Sequence, residues 1–413
     1  MHAARSLFHQ VVIVGGGAGG LAAAASLLRR RPSLDIAIVE PRDTHYYQPG
    51  WTLVGGGVFT REQTVRPMKE VMPRAASWLR TSAIGFDPET NTVELEDGTS
   101  LRYVLLIVAA GNRLAWEVID GLPETLGRNG VTSNYSYDTA PYTWQLVQQL
   151  SEGRALFTQP PMPIKCAGAP QKAMYLSCDA WRRRGVLGNV EVEFHTAGAA
   201  LFGVPAYVPA LKETVTRYGI HVNLGSNLIA VDGPTRRATF KTADGEVTRD
   251  FAMLHVTPPQ KSPTVVAESA LADEAGYVDV DPASLQHKSY HNVFAIGDVG
   301  GMPNAKTAAA ARKQAPVVAM NAVAVLDQQE PLAVYEGYGS CPLIVERGRV
   351  VLAEFGYGGA LQPSFPNWLN DGTRPTRFGW ILKKDLMPTI YFDAMLKGHE
   401  WLARPKMRDE IRS

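Results

Sequence analysis

Residues 11–40 read VVIVGGGAGGLAAAASLLRRRPSLDIAIVE, and this stretch decides the fold. An unbroken apolar run meets a cluster of glycines. An alanine- and leucine-rich segment follows from Gly19 to Arg30, Pro32 closes it, and a second apolar run, IAIVE, ends at Glu40. Apolar runs without alternation predict parallel strands covered on both faces, and the segment between them predicts the connecting helix. Gly15, Gly17 and Gly20 satisfy GxGxxG. The first permits the tight turn, the second lets backbone approach a pyrophosphate, and the third lets the helix pack on the strand. The helix start then offers free N–H groups and a positive dipole end to phosphate. Glu40 stands where a carboxylate accepts hydrogen bonds from an adenosine ribose. The glycines alone are a weak signal, but strand, glycines, helix, strand and acid in register predict a bound dinucleotide.

Outward from there, TNTVELEDGTSLRYVLLIVAAG (90–111) predicts a hairpin turned at Asp97-Gly98 that leads into a buried strand ending at Gly111. A second α/β unit is expected, with strands at 154–159, 190–197 and 220–224 and helices near 170–184 and 206–218. A meander is expected over 229–259. NVFAIGDVGG (292–301) reads as a return strand of the first unit, followed by an alanine-rich helix over 306–325. The expected class is therefore α/β, with two Rossmann-like domains and an appendage. The first domain takes 1–115 and 285–330, the inserted one 116–284, and the tail 331–413.

Where the second unit would repeat the glycine fingerprint, the chain reads ALFTQPPMPIKCAGAPQKAMYLS (155–177). Prolines have no N–H to give a pyrophosphate and they stiffen the loop. A site for NADH as obligatory donor is not expected here. Cys166 sits in that place.

The chain has 413 residues, 45% apolar and 20% charged, with a net charge of +1, which suits a globular enzyme and gives no support to nucleic-acid binding. Three scattered cysteines make neither a disulfide scaffold nor a zinc site, and no metal is expected. No secretory pattern opens the chain, and no apolar run is long enough to span a bilayer. A reducing compartment is the expectation, where a disulfide is catalytic more often than structural. Cys178 lies mid-helix in AMYLSCDAW and reads as a core residue. For Cys166 and Cys341 two readings stand, packing or reactive thiol, and their Pro- and Gly-framed loops favour the second. A helix start near 170 and the adjacent Lys165 would favour thiolate at Cys166.

Ala295-Ile296-Gly297-Asp298 resembles a signature of the two-dinucleotide-domain flavoprotein disulfide reductase superfamily. That resemblance implies FAD, with Gly297 and Asp298 at its ribityl chain and Gly111 in the crossover between domains. It also implies a helix starting at Lys306-Thr307 aimed at the flavin pyrimidine, where the dipole and the Lys306 ammonium would stabilise the reduced ring. A closer resemblance rests on HYYQPGWTLVGGG (45–57), SNYSYDTAPYTW (133–144), PIKCAGAPQKAMYLS (163–177), MLHVTPP (253–259), NVFAIGD (292–298), KTAAAA (306–311) and YGSCPLIVERGRVVLAEF (338–355). Together these segments resemble the sulfide:quinone oxidoreductases, in the branch of the mitochondrial enzymes and their bacterial relatives. The resemblance implies a redox-active pair at Cys166 and Cys341 beside the flavin. Sulfide would attack the sulfur of Cys341 and leave a persulfide there, with a thiolate on Cys166, and two electrons would enter FAD. A small acceptor (sulfite, a thiol, cyanide or another sulfide) would remove the outer sulfur, and ubiquinone or another membrane quinone would take the electrons. His45 and His255 lie in matched segments without an assignable role.

TRFGWILKKDLMPTIYFDAMLKGHEWLARPKMR (376–408) interleaves Phe378, Trp380, Ile381, Leu386, Tyr391 and Phe392 with lysines and arginines. That mixture suits a membrane interface, and Pro388 is expected to split it into two short helices. The expected setting is a peripheral, monotopic protein, on the cytoplasmic face of the inner membrane if bacterial. A homo-oligomer stays open. Other readings are an NADH:quinone dehydrogenase of the second type, which requires the missing second fingerprint, a flavocytochrome sulfide dehydrogenase, which requires export, and a flavin-thiol redox sensor.

Overall fold

Two parallel sheets organise the chain, which leaves the first, builds the second and then returns. The computed structural model describes residues 6–408 and 410. In the first sheet Ser6–Val14 lies between Ile36–Val39 and Ser100–Val108, parallel to both. Ala76–Leu79 extends one side, and Val293–Ala295 pairs with the end of Ser100–Val108 on the other. The register sets Val14 opposite both Val39 and Val108, so these strands end level. The glycine loop, Glu40, Ala109–Gly111 and Gly297 therefore emerge along one edge, where α/β sheets bind ligands. The hairpin at Asp97-Gly98 forms as expected, pairing Thr92–Leu95 with Ser100–Val108. Helices Ala18–Arg30 and Ala308–Leu326 pack on each other over this sheet.

The second sheet runs Val131–Thr132, Met253–His255, Gly153–Gln159, Val190–Thr196, His221–Leu224, all parallel. The expected meander is a three-stranded antiparallel sheet of Asn227–Asp232, Arg237–Thr242 and Gly245–Asp250. Its last expected piece, Met253–His255, departs to the parallel sheet instead. The reason is local: Met253, Leu254 and His255 are all buried, whereas Gly245–Asp250 stays largely exposed.

After residue 331 many of the buried side chains join the cores of the two parallel sheets. Cys341, Leu343, Val345, Val351 and Ala353 of the antiparallel pair Gly339–Glu346 and Arg349–Phe355 join the core of the second sheet. Tyr391, Met395 and Leu396 join that of the first. The tail docks on helix Ala18–Arg30, where Glu400 pairs with Arg30 and accepts from Ser26 Oγ at 2.6 Å. The expected break at Pro388 is not there. Residues 377–397 form one run of helical turns, with π-helical stretches at Leu382–Leu386 and Ile390–Ala394 flanking Met387–Thr389. The wider turns on either side accommodate the hydrogen bond that Pro388 cannot make, so the run continues through it.

Candidate functional site

The level strand ends open on a cavity of about 640 Å³ that reaches from the glycine loop to the tail. Each fingerprint glycine has a separate physical reason. Gly15 has φ of +110°, and a Cβ there would sit 2.5 Å from the Ala109 carbonyl oxygen. A Cβ on Gly20 would fall on the Gly15 carbonyl oxygen. A Cβ on Gly17 meets nothing within 4 Å, so its space is kept for a ligand. Glu40 is held at its strand end by N–H donors of Gly16 at 2.8 Å and Arg42 at 2.9 Å. Gly111 and Gly297 have φ of +70° and +80°, each with open space at the Cβ position. Asp298 lines the cavity, and burial raises its carboxyl pKa. Thr307 caps the helix Ala308–Leu326 by accepting the Ala310 N–H at 3.1 Å. Asn112 and Asn134 line the same space with buried polar atoms that lack partners in the protein. Glycine cradle, acid and orphaned polar atoms fit a dinucleotide.

This predicts a contrast between two glycines. Gly20→Ala should cost about 1–3 kcal/mol by forcing helix from strand and should yield protein poor in flavin. Gly17→Ala should leave the apoprotein's melting temperature unchanged while weakening dinucleotide binding. Calorimetry and flavin absorbance per protein check both.

At one side of the cavity two sulfur atoms meet. Cys166 Sγ and Cys341 Sγ, 175 residues apart in sequence, stand 4.0 Å from each other as free thiols. Cys166 has φ of +50°, and its N–H donates to the Lys306 carbonyl at 2.8 Å. The proline-rich loop therefore reaches across to the start of the helix Ala308–Leu326. Tyr135 Oη contacts the carbonyls of Lys165 and Cys166 at 3.1 and 3.2 Å. Cys341 lies inside a strand, opposite Ala353, and not in the expected loop. Ser340 and Pro342 line the cavity on either side of it, while Cys341 is buried in the second core. Gly168 makes the approach possible, since a Cβ there would stand 2.5 Å from Cys341 Sγ.

Lys165 gives its ammonium to Gln48 Oε1 at 2.8 Å and keeps only a through-space attraction to Cys166. Lys172, on the first turn of helix Ala169–Arg183, takes its place: it is 2% exposed, and its Nζ is 3.0 Å from Cys166 Sγ. The Cys341 thiol and the Lys172 ammonium hold Cys166 well below the ordinary thiol range despite burial. Cys341, beside that thiolate and buried, is pushed well above it. Lys383 is also buried; its Nζ donates to the Pro49 carbonyl at 2.9 Å, and burial, then Lys172, push it down to about 7. The segment KCAGAPQK holds the one clue to Lys172, placing a lysine six residues past the cysteine. Nothing marks Lys383, one of several lysines in the tail.

Lys306 also differs from expectation. Its ammonium donates to the carbonyls of Asp298 and Gly300 at 2.7 and 2.9 Å, so it braces that loop. Of the tail residues expected near quinone, Tyr391 lines the cavity, buried, with its hydroxyl 2.8 Å from His45 Nε2. His45 Nδ1 faces the Gly16 carbonyl at 3.3 Å, so it carries the proton, and burial lowers the imidazole to about 4. Phe392 packs under Arg66 instead, Trp380 against Leu53, Leu176, Ile344 and Val350, and Phe378 against Phe365. Ile381 and Leu386 are exposed. His255 Nε2 accepts the Asn134 N–H at 3.0 Å, a structural role, and burial lowers it to about 3. Cys178 is fully buried in the core of the second sheet, as expected.

Residues 9–157 match the family model of the pyridine nucleotide-disulphide oxidoreductases. The chain is 40% identical over 384 residues to the mitochondrial sulfide:quinone oxidoreductase of Dictyostelium discoideum, covering 92% of this chain and 83% of that protein. It is 40% identical over 368 residues to the mitochondrial sulfide:quinone oxidoreductase of Mus musculus, with 88% and 81% covered. The solved sulfide:quinone oxidoreductase of Aquifex aeolicus shares the fold at a TM-score of 0.78 and 20% identity, over 93% of this chain and 92% of that one.

Proposed function

The chain belongs to the sulfide:quinone oxidoreductases, and from that membership we propose what its own residues do. It is an FAD-dependent enzyme that oxidises sulfide and reduces quinone. Bound FAD supplies a two-electron acceptor for thiols that passes electrons on to quinone. Hydrosulfide attacks the bonded form of the pair at Cys341. The new S–S bond forms on Cys341, the old one breaks, and its electron pair stays on Cys166. The direction follows from acidity, since the more acidic thiol leaves faster, and Cys166 has Lys172 Nζ at 3.0 Å. A nucleophile (sulfite, a thiol, cyanide or a second hydrosulfide) then takes the outer sulfur. Cys341 is left as a thiolate beside Cys166, and re-forming their bond releases two electrons. Lys172 and Lys383 offset the negative charge present between these steps.

The observation that carries this reading is the Cys166–Cys341 approach at 4.0 Å against a cavity suited to a dinucleotide. Anaerobic sulfide should bleach the flavin of the holoenzyme, and a short-chain ubiquinone should restore it. Bleaching by NADH but not by sulfide would contradict the reading.

The cavity's other end supports a peripheral membrane setting. Among the described residues no helix is long and apolar enough to cross a membrane. Trp368 is 85% exposed and Trp401 60%, with Ile381, Leu386 and Leu402 also exposed near Lys384, Arg404 and Lys406. Met387, Ile390, Trp401 and Leu402 also line the cavity, so quinone would enter from lipid beneath the tail, on the cytoplasmic face in a bacterium. Trp368→Ser with Trp401→Ser should weaken binding to anionic vesicles about 30-fold, from roughly 2 kcal/mol of lost apolar burial. Unchanged sedimentation with vesicles would reject this surface.

A further inference from the structure

A buried carboxylate with no part in the sulfur chemistry lines this same cavity. Glu354 lies in the strand Arg349–Phe355, opposite Ser340 and next to the Cys341–Ala353 pair. It is 4% exposed. Tyr338 Oη and Ser364 Oγ each donate to Oε1 at 2.6 Å, and the Ser364 N–H donates to Oε2 at 3.1 Å. Ser340, Tyr338 and Ser364 line the cavity with it, and the Ser340 hydroxyl is buried without a partner. Ser364 is half-buried and leads into the exposed segment 366–369. A line of exchangeable groups thus runs from solvent through Ser364 to Glu354 and the cavity.

Quinone needs two electrons and two protons to become quinol. A quinone bound in a buried cavity would take at least one of these protons from an acid of the protein. Of the cavity's other carboxylates, Glu40 is engaged by two backbone N–H groups at the ribose end, and Asp298 lies on the loop braced by Lys306. We propose that Glu354 is the proton donor to the quinone carbonyl, with the Ser340 hydroxyl available to the bound head group. This rests on the reading that quinone is reduced in this cavity. The proton leaves the Glu354 carboxyl for the quinone oxygen. The resulting carboxylate is stabilised by the three donors from Tyr338 and Ser364, and water restores the proton through Ser364. The other titratable groups about it are Arg312 and Lys313 of the long helix and Tyr207, whose hydroxyl contacts the Glu354 backbone at 2.9 and 3.0 Å.

The test uses holoenzyme reduced by sulfide and mixed with a short-chain ubiquinone. Parent enzyme that fails to reoxidise would overturn the quinone reading itself. With the parent reoxidised, Glu354→Gln should slow that step about 100-fold, the lower end of general-acid effects, while sulfide bleaches the flavin at the parental rate. Parental reoxidation in E354Q overturns this inference alone. Infrared difference spectra give a readout apart from turnover. On quinone addition to the reduced parent, a protonated-carboxyl band should disappear and return, and Ser364→Ala should shift it. A parent spectrum without that band, or a band untouched by S364A, overturns the assignment even if E354Q does not fold.

Discussion

Cys341→Ala should abolish sulfide-driven quinone reduction, by about a thousandfold or more, as expected when a covalent nucleophile is lost. Cys166→Ala should do the same, and in both variants FAD should stay bound. The two losses differ in kind. Without Cys341 there is no sulfur for hydrosulfide to attack, and without Cys166 there is no leaving group and no second sulfur to re-form the bond. Flavin should persist because the glycine loop, Glu40 and Gly297 make no use of either thiol. Truncating a buried thiol costs about 1 kcal/mol, typical of a small deletion, so both proteins should fold. Cys178→Ala is the control: it removes a similar side chain from the same core and should leave turnover intact. Flavin content, steady-state rate and melting temperature for the three variants check the set.

Lys172→Met should have the next largest effect. The ammonium is buried with its Nζ 3.0 Å from Cys166 Sγ, and methionine fills much the same volume without the charge. An opposite charge at such distance lowers an acid by about one to three pH units. Its removal therefore moves the Cys166 thiol back up toward the ordinary thiol range. The reduced enzyme's alkylation at Cys166 should shift its acid limb to higher pH by that amount. Sulfide-driven flavin reduction should fall about tenfold to a hundredfold at neutral pH and recover as the pH rises. Lys172→Arg should restore the parental profile. An acid limb that does not move in Lys172→Met would mean that Cys341 or the helix start, and not the lysine, sets the acidity.

The sequence made the first domain legible because its signals are local. A buried strand, three glycines with distinct steric duties and an acid at the next strand end all fall within residues 11–40. The proline-rich character of the loop before Cys166 was legible too, since Pro160, Pro161 and Pro163 mark it without any fold. The pairing of Cys166 with Cys341 was not local, and only resemblance linked residues 175 apart. The lysines show where such reading stops. Lys165 is adjacent in sequence but turns toward Gln48, whereas Lys172 reaches the thiol because one helical turn folds it back. Lys306 sits at the expected helix start, yet its long side chain finds two carbonyls on the neighbouring loop. In the tail, composition marked apolar and aromatic residues as a group. It could not separate those that pack inward, such as Tyr391 and Trp380, from those that face outward, such as Ile381 and Leu386.

The most direct measurement is to locate the first sulfur. Oxidised holoenzyme is mixed anaerobically with one equivalent of sulfide, trapped at once with an alkylating agent, and analysed by peptide mass spectrometry. The Cys341 peptide should carry one added sulfur, and Cys166 should be plainly alkylated. An added sulfur on Cys166 instead, or on neither cysteine while the flavin is bleached, would contradict it.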